Sequence, residues 1–224
     1  CLTTITNTMT TKIKNVTSDY MGRWTKINFF ATGGTVAIYT IYRPNPSSLR
    51  QAGGETVWMQ QQRILEKEKD KENPRKQLIL DLIGDIKANN KNNTTEVILL
   101  GDFNEDPRDN EDDGLHMLMG TCNLINVFEE RFQTLPSTRN NERAIDHILV
   151  TPGILRSVRT AGLIPKDIGF SNSDHQGIFI DLKPSVLDTK NIPLQPSSMR
   201  KLKHHNAPKV EWYILQVLER SHAH

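Results

Sequence analysis

The sequence is poor in cysteine and in long apolar runs. Its two cysteines, Cys1 and Cys122, form no disulfide framework or metal-ligand spacing, and their scarcity fits a reducing compartment. No stretch approaches the roughly 20 apolar residues that span a bilayer. The first 30 residues are rich in Thr and Asn and lack the basic start and apolar segment of a signal peptide. We therefore expect a soluble, intracellular protein with no membrane partner.

Acidic residues are scarce at the start of the chain, where Asp19 is the only one before Glu55. The formal net charge is +2, so no strong basic field marks a nucleic-acid binder. The 224 residues suffice for one sizeable core plus tails, because domains span roughly 100–200 residues. Prolines and basic residues from Pro184 onward predict a domain over 1–183 and a linker or connector tail over 184–224, with a flexible solvated tail as the alternative.

Strand and helix patterns alternate along the chain. β-branched and aromatic residues predict strands over 24–30 and 35–42, and Gly33-Gly34 predicts a hairpin turn because glycine accepts positive φ. Asn73-Pro74 predicts a helix start, with a capping side chain before proline at the first helical position. The other expected elements are helices over 55–72 and around 112–120, and strands over 97–100, 144–150, 154–160 and 177–182.

An acidic motif follows the apolar strand at 97–100. In Gly101-Asp102-Phe103-Asn104 the glycine lets the chain turn, and the Asp and Asn, two residues apart, can face one ligand. The carboxylate of Asp102 could coordinate a cation or orient a metal-bound water. The carboxamide of Asn104 could donate to a phosphoryl oxygen. The alternative for both residues is a structural Asx-turn that closes the strand.

Two further acids follow in order. Asp146 lies in an apolar run, where a carboxylate is costly to bury unless a cation or hydrogen-bond donors meet it. Ser173-Asp174-His175 offers an imidazole that a carboxylate would orient, although a surface turn is the alternative for this pair. His147 would point away from Asp146 on a strand and is expected to be a packing or surface residue. Mg²⁺ prefers oxygen ligands and leaves positions for water and phosphate, so the three motifs together suit a hard cation and a phosphate.

These ordered motifs resemble those of the endonuclease/exonuclease/phosphatase superfamily, which includes DNase I, abasic-site endonucleases and inositol polyphosphate phosphatases. The resemblance extends from about Asp19 to Lys183. It implies an α/β (α+β) fold, a four-layer sandwich of two facing β-sheets flanked by helices, incomplete at its N-terminus. It also implies Mg²⁺-dependent hydrolysis of phosphodiesters or phosphomonoesters, with Mn²⁺ as the alternative cation.

The resemblance also assigns catalytic roles. Asp102 would position the attacking water and share in holding the metal, and Asn104 would stabilise the phosphoryl group. Asp146 would orient His175, which would contact the scissile phosphate. Asp174 would help to bind the metal.

Two further positions match the family's pattern. Tyr42, in Tyr42-Arg43-Pro44, matches a Tyr-x-Pro position where a phenol helps to hold the phosphate, and a strand-end aromatic is the alternative interpretation. Thr138-Arg139 resembles a substrate-side segment that precedes the Asp146 strand.

Within the superfamily the chain most resembles the endonuclease domain of a non-LTR retrotransposon. The resemblance is carried by the Gly22-Arg23-Trp24 lead-in, the Tyr-Arg-Pro junction, the Gln-rich helix before Asp102, and the tail segments Arg200-x-Leu202 and Val210-x-x-Tyr213. It implies nicking of target DNA, a reverse-transcriptase domain in the same polyprotein and a nuclear location.

One departure limits the expected activity. Family members carry an Asn and a metal-ligating Glu upstream of the tyrosine motif, whereas no glutamate precedes Glu55 here, and Asp19 fits the Asp-x-x-Gly-Arg lead-in. Loss of a carboxylate weakens a Mg²⁺ site. We therefore expect an N-terminally truncated domain that is inactive or nearly so. The alternatives are a phosphoesterase acting on a small phosphorylated molecule or lipid, and a non-enzymatic remnant that binds nucleic acid.

Overall fold

The computed structural model describes residues 1, 3–5, 7–31, 33–46, 56–69, 72–90, 94–109, 113–139, 143–164 and 173–187. The strands are β1 (Ile13–Ser18), β2 (Trp24–Ala31), β3 (Gly34–Tyr42), β4 (Thr95–Asp102), β5 (Ile125–Asn126), β6 (Asp146–Val150), β7 (Val158–Ile164) and β8 (Gly177–Leu182). The helices are α1 (Val57–Lys67), α2 (Pro74–Asn89), α3 (Gly114–Cys122), α4 (Val127–Phe132) and α5 (Pro152–Leu155), and short 3₁₀ helices span Asn7–Lys12 and Pro184–Leu187.

The strands form two sheets. Six of them make one sheet in the order β1-β2-β3-β4-β6-β5, and β7 pairs with β8 in a second, antiparallel sheet. β3 and β4 are parallel and are connected through α1 and α2, whereas the other neighbouring strands of the large sheet are antiparallel. A parallel pair needs such a crossover because the chain must return to the same end of the sheet.

The large sheet is covered on both faces. Alternate residues of β4 point to opposite sides, so Val97 and Leu99 pack with α2 and α3. Ile98 and Leu100 pack instead with apolar residues of β7 and β8. The uninterrupted apolar pattern of β4 follows from this double burial. The expected α/β class, with two facing sheets and helices, is confirmed.

The helix predicted from Asn73-Pro74 is confirmed as α2. The side chain of Asn73 accepts a hydrogen bond from Lys76 N at 2.9 Å, which caps the helix. Its buried apolar residues recur at helical spacing and face the large sheet: Leu78, Ile79, Leu82 and Ile86. In the described ranges, no helix is both long and apolar enough to cross a membrane.

Two sequence-based predictions need correction. The strand predicted over 154–160 is wrong in its first half, because Pro152–Leu155 forms α5 and the strand runs over Val158–Ile164. Pro152 occupies the first helical turn, where proline favours helix. Helix α4 was not predicted, because six residues are too few for a helical period. The predicted tail lies outside the described residues except for Pro184–Leu187, whose Val186 and Leu187 pack against the core between the sheets.

Candidate active site

Three of the predicted residues meet where β3, β4 and β6 lie side by side. Tyr42 and Asp102 are partners at the ends of the parallel strands β3 and β4. Asp146, the first residue of β6, is the antiparallel partner of Asp102. The strand register therefore aligns a phenol and two carboxylates in one row at the same end of three neighbouring strands.

His175 completes the cluster from the loop before β8. Its Nδ1 lies 2.9 Å from Asp146 Oδ2. Since a carboxylate accepts and does not donate hydrogen bonds, Nδ1 carries the proton and Nε2 is left as an acceptor in the neutral ring. The geometry agrees with the expected pairing of these two residues.

Asp102 and Asp146 could hold a divalent cation, with His175 close beside them. One ligand atom from each lies within 4.8 Å of those of the other two. Two carboxylates fit Mg²⁺, which uses few protein ligands and fills its octahedron with water and phosphate oxygens. The repulsion between the two carboxylates is also what a cation would relieve, so the donor set fits the metal that the sequence predicts.

The ionisation of Asp102 reflects this crowding. Burial, followed by the negative charge of Asp146, raises the pKa of Asp102 to about 6, although the backbone N–H of Asn104 partly offsets the shift. That N–H donates to Asp102 Oδ1 at 2.8 Å. In the absence of a cation, the charged form of Asp102 is therefore less favourable in the folded protein than in water.

Substitution Asp102→Asn should stabilise the protein above pH 6 and have little effect below about pH 4. Between about pH 4, where an unfolded aspartate titrates, and pH 6 the folded protein retains a proton on Asp102 that the unfolded chain has lost. The free energy of unfolding therefore falls as pH rises through this window, and asparagine removes the loss. Urea unfolding from pH 3.5 to pH 8 in EDTA measures the difference.

The control for this experiment is Asp113→Asn, which changes an exposed aspartate before α3. Its free energy of unfolding should follow that of the wild type across the whole pH range. A stability difference for Asp102→Asn that does not change between pH 4 and pH 7 would contradict the assignment.

Asn104 is held tightly in the loop after β4. Its φ is +49°, in the left-handed region that asparagine tolerates. Its Nδ2 donates to Arg43 O at 2.7 Å and to Asp102 Oδ2 at 3.1 Å, which uses both N–H bonds. Donation to a phosphoryl oxygen, the role expected from the sequence, would require one of these bonds to be exchanged.

Tyr42 is placed where its hydroxyl can reach a ligand at the cluster. Its side chain is 38% exposed. Burial, and then the charge of Asp102, raises the pKa of Tyr42. The phenol therefore stays protonated at neutral pH and can donate a hydrogen bond to a phosphate oxygen.

Thr138 supports the backbone at the start of β6. It is fully buried, and its hydroxyl accepts hydrogen bonds from the backbone N–H groups of Ile145 and Asp146, both at 3.0 Å. Thr138 is therefore inaccessible from the surface, whereas the Arg139 side chain is partly exposed.

Arg139 and Asp174 form an exposed pair beside the cluster. Arg139 Nε donates to Asp174 Oδ2 at 2.8 Å. Asp174 Oδ1 lies 3.9 Å from His175 Nε2. Asp174, which the sequence assigned to the metal, is therefore at the rim and its carboxylate is engaged by an arginine.

Two buried arginines and a glutamate behind Asn104 were not singled out from the sequence. Arg43 donates through Nη1 to Glu105 Oε2, and Glu105 Oε1 accepts from Leu115 N at 2.9 Å. Arg75 donates to Pro44 O at 2.9 Å and to Asn104 O at 3.1 Å. Charged residues usually indicate a surface, so the only available signal was the adjacency of Arg43 and Glu105 to the Tyr42 and Asn104 motifs.

His147 packs in the interior, as its strand position predicts. Its Nε2 lies 2.9 Å from Glu105 O, its Nδ1 lies 3.1 Å from Asn126 Nδ2, and its ring meets Phe103 edge-on. Burial lowers the pKa of His147. The ring is therefore neutral and serves packing and backbone hydrogen bonding.

Comparisons with known proteins agree with the fold. A model of the Endonuclease/Exonuclease/phosphatase family matches residues 5–175, well over half of the chain. Curated protein sequences give no match. The AP endonuclease from Archaeoglobus fulgidus has a TM-score of 0.52 at 10% identity, over 76% of this chain and 71% of that chain.

Two further solved structures are similar. The 3′ phosphatase NExo from Neisseria, solved with a product DNA hairpin, has a TM-score of 0.50 at 14% identity, over 76% of this chain and 71% of that chain. The endonuclease domain of TRAS1, a telomere-specific non-LTR retrotransposon, has a TM-score of 0.44 at 12% identity, over 76% of this chain and 68% of that chain.

Proposed function

Because this chain belongs to the endonuclease/exonuclease/phosphatase family, we propose that its site hydrolyses phosphodiester bonds of DNA with Mg²⁺, producing nicks. The observation that carries the proposal is the cluster of Asp102, Asp146 and His175, in which His175 Nδ1 lies 2.9 Å from Asp146 Oδ2. The two carboxylates suit a divalent cation, and the oriented imidazole suits a phosphate.

The chain's own residues would act in the following way. Asp102 would orient the attacking water, with its charged form favoured once a cation offsets Asp146. Asp146 would hold His175 so that Nε2, after protonation, donates to a phosphate oxygen. Tyr42 would donate to a second phosphate oxygen. A bound Mg²⁺ would supply charge neutralisation at the phosphate and at the developing oxyanion.

The biological setting proposed is a retrotransposon polyprotein. Its support is the sequence around the site, where the Gly22-Arg23-Trp24 lead-in and the Tyr42-Arg43-Pro44 junction resemble such endonucleases. In that setting the DNA nick would provide a primer end for a reverse-transcriptase domain of the same polyprotein, and the protein would act in the nucleus.

We expect the 224-residue chain to nick supercoiled plasmid DNA slowly, with a requirement for Mg²⁺ or Mn²⁺. The rate should be low because no glutamate precedes Glu55 in these residues, which leaves the cation with fewer carboxylates than the family motif supplies. Gel analysis of open-circular product over time measures the rate. The nicking should stop in EDTA and in the His175→Ala variant.

The matched control is His116→Ala, because His116 is an exposed histidine on α3. This variant should nick at the wild-type rate. Nicking that survives His175→Ala would exclude the proposed site. Fast nicking that His175→Ala abolishes would support the site and would contradict the expected low activity of the chain.

A further inference from the structure

We propose that Asp174 positions Arg139 to bind a phosphate of a nucleic-acid strand beside the Asp102, Asp146 and His175 cluster, and that Asp174 does not ligate the cation. The inference rests on the proposed function, because it takes a phosphodiester strand as the ligand. It replaces the role that the family resemblance gives to Asp174.

The guanidinium of Arg139 is oriented by Asp174 and keeps N–H groups for a further hydrogen bond. Its Nε donates to Asp174 Oδ2 at 2.8 Å. In the part of the chain that the structure describes, neither Nη group of Arg139 has a hydrogen-bond partner, and the side chain is 32% exposed. The two Nη groups are the donors with which an arginine binds a phosphate in a forked geometry. One edge of the guanidinium thus meets the aspartate, and N–H groups remain for a ligand.

The backbone places Arg139 next to the imidazole. Arg139 and His175 form an isolated antiparallel bridge. Gln176 N donates to Thr138 O at 2.8 Å, and Arg139 N donates to Arg143 O at 3.2 Å. The position of the arginine relative to His175 is therefore set by main-chain bonds, and Asp174 only has to fix the direction of its side chain.

Asp174 stands apart from the residues that suit a cation. The group of mutually close ligand atoms consists of Asp102, Asp146 and His175. The carboxylate of Asp174 is half exposed, and its Oδ1 lies 3.9 Å from His175 Nε2, but among the described residues it does not join the group that contains Asp102 and Asp146. Its charge is already matched by the guanidinium of Arg139, whose Nε donates to Asp174 Oδ2 at 2.8 Å. Such a carboxylate has less to gain from a cation than the crowded Asp102.

If Asp174 positions Arg139, its removal should change DNA affinity in the opposite direction from that expected if it only repels the DNA. DNA is a polyanion, so removing a negative charge at its binding surface should by itself tighten binding. If Asp174 positions Arg139, Asp174→Ala should instead weaken binding, because the guanidinium loses its fixed direction. The sign of the change therefore separates positioning from simple repulsion.

The test measures binding of a fluorescein-labelled DNA duplex by anisotropy, with the full 224-residue chain in EDTA and over a range of salt concentrations. Arg139→Gln should weaken binding about tenfold at low salt. It should also reduce the slope of log K against log[salt] by about one, the share of one phosphate contact. Asp174→Ala should weaken binding several-fold, and Asp174→Ala with Arg139→Gln should bind no more weakly than Arg139→Gln alone.

Arg159 and Asp181 provide the matched control pair. Arg159 Nη1 lies 3.5 Å from Asp181 Oδ2 on β7 and β8, and the Arg159 side chain is more exposed than that of Arg139, at 59% against 32%. Arg159→Gln should leave the slope unchanged, and Asp181→Ala should not weaken binding. Arg139→Lys keeps the charge without the fork, so it should bind between wild type and Arg139→Gln.

A second measurement tests whether Asp174 ligates the cation. Titration of Mn²⁺ followed by electron paramagnetic resonance should give the same affinity for Asp174→Ala and wild type, and a weaker affinity for Asp102→Asn. Tighter or unchanged DNA binding by Asp174→Ala, or a loss of Mn²⁺ affinity in that variant, would overturn the inference. A wild-type chain that shows the predicted binding pattern yet never nicks plasmid DNA would support the inference and count against the proposed hydrolysis.

Discussion

Substitution Glu105→Ala is expected to lower the free energy of unfolding by about 3–5 kcal/mol, the usual cost of removing one partner of a buried ion pair. Arg43 and Glu105 are only 1% and 2% exposed. Alanine would leave the guanidinium of Arg43 without its carboxylate and would leave Leu115 N, now 2.9 Å from Glu105 Oε1, without an acceptor. Urea unfolding at pH 7 measures the change.

The start of α3 packs directly against the ion pair. A Cβ added to Gly114, at the start of α3, would come within 2.6 Å of Arg43 Nη2 and 3.0 Å of Glu105 Oε2. Removal of the Glu105 carboxylate therefore also removes a group against which the N-terminus of α3 is packed.

Two variants control the Glu105 experiment. Glu130→Ala removes an exposed glutamate on α4 and should change the free energy of unfolding by less than about 0.5 kcal/mol. The double replacement Arg43→Met with Glu105→Leu removes both charges and should recover most of the loss. If Glu105→Ala unfolds like wild type, the pair is not a stabilising element of this fold.

Substitution Gly101→Ala is expected to cost about 2–5 kcal/mol, the sum of a backbone strain and a steric overlap. Gly101 has φ of +145°, a conformation that L side chains rarely adopt. A Cβ at this position would lie 2.0 Å from Ile41 O on the neighbouring strand. Either β4 moves away from β3 or the strand ends early, and both changes displace Asp102.

The Gly101 experiment has a built-in comparison. Gly84 lies within α2, and a Cβ there would meet no atom within 4 Å. Gly84→Ala should therefore raise the free energy of unfolding by about 0.5–1 kcal/mol, as expected for alanine in a helix. Urea unfolding of both variants, with Mn²⁺ affinity as a second readout, should give changes of opposite sign. Equal and small effects would contradict the close approach of β4 to β3.

Local patterns were sufficient for most of the elements near the site. Alternating β-branched residues predicted β2 and β3, and the capping Asn73 with Pro74 predicted α2. The errors fell where local signals compete. Pro152 starts a short helix inside an apolar stretch that reads as strand, and α4 owes its start to the Asn126 side chain, which accepts from Phe128 N at 3.0 Å.

The sequence by itself determined the chemical inventory of the site. Asp102, Asn104, Asp146 and His175 each follow or begin an apolar strand, and the cost of leaving such a carboxylate unpaired predicts a partner. Ser173-Asp174-His175 offered a candidate imidazole for Asp146, and the family resemblance assigned the pairing of Asp146 with His175.

Only the tertiary structure decided which of these groups touch. The parallel register of β3 and β4 brings Tyr42 beside Asp102, and the register of β6 places Asp146 on the other side. Contacts between residues far apart in the chain also buried Arg43 with Glu105 and turned Thr138 inward. The same folding directed Arg139 onto Asp174. Residue type and spacing carry no record of these contacts, because each depends on how separate elements pack.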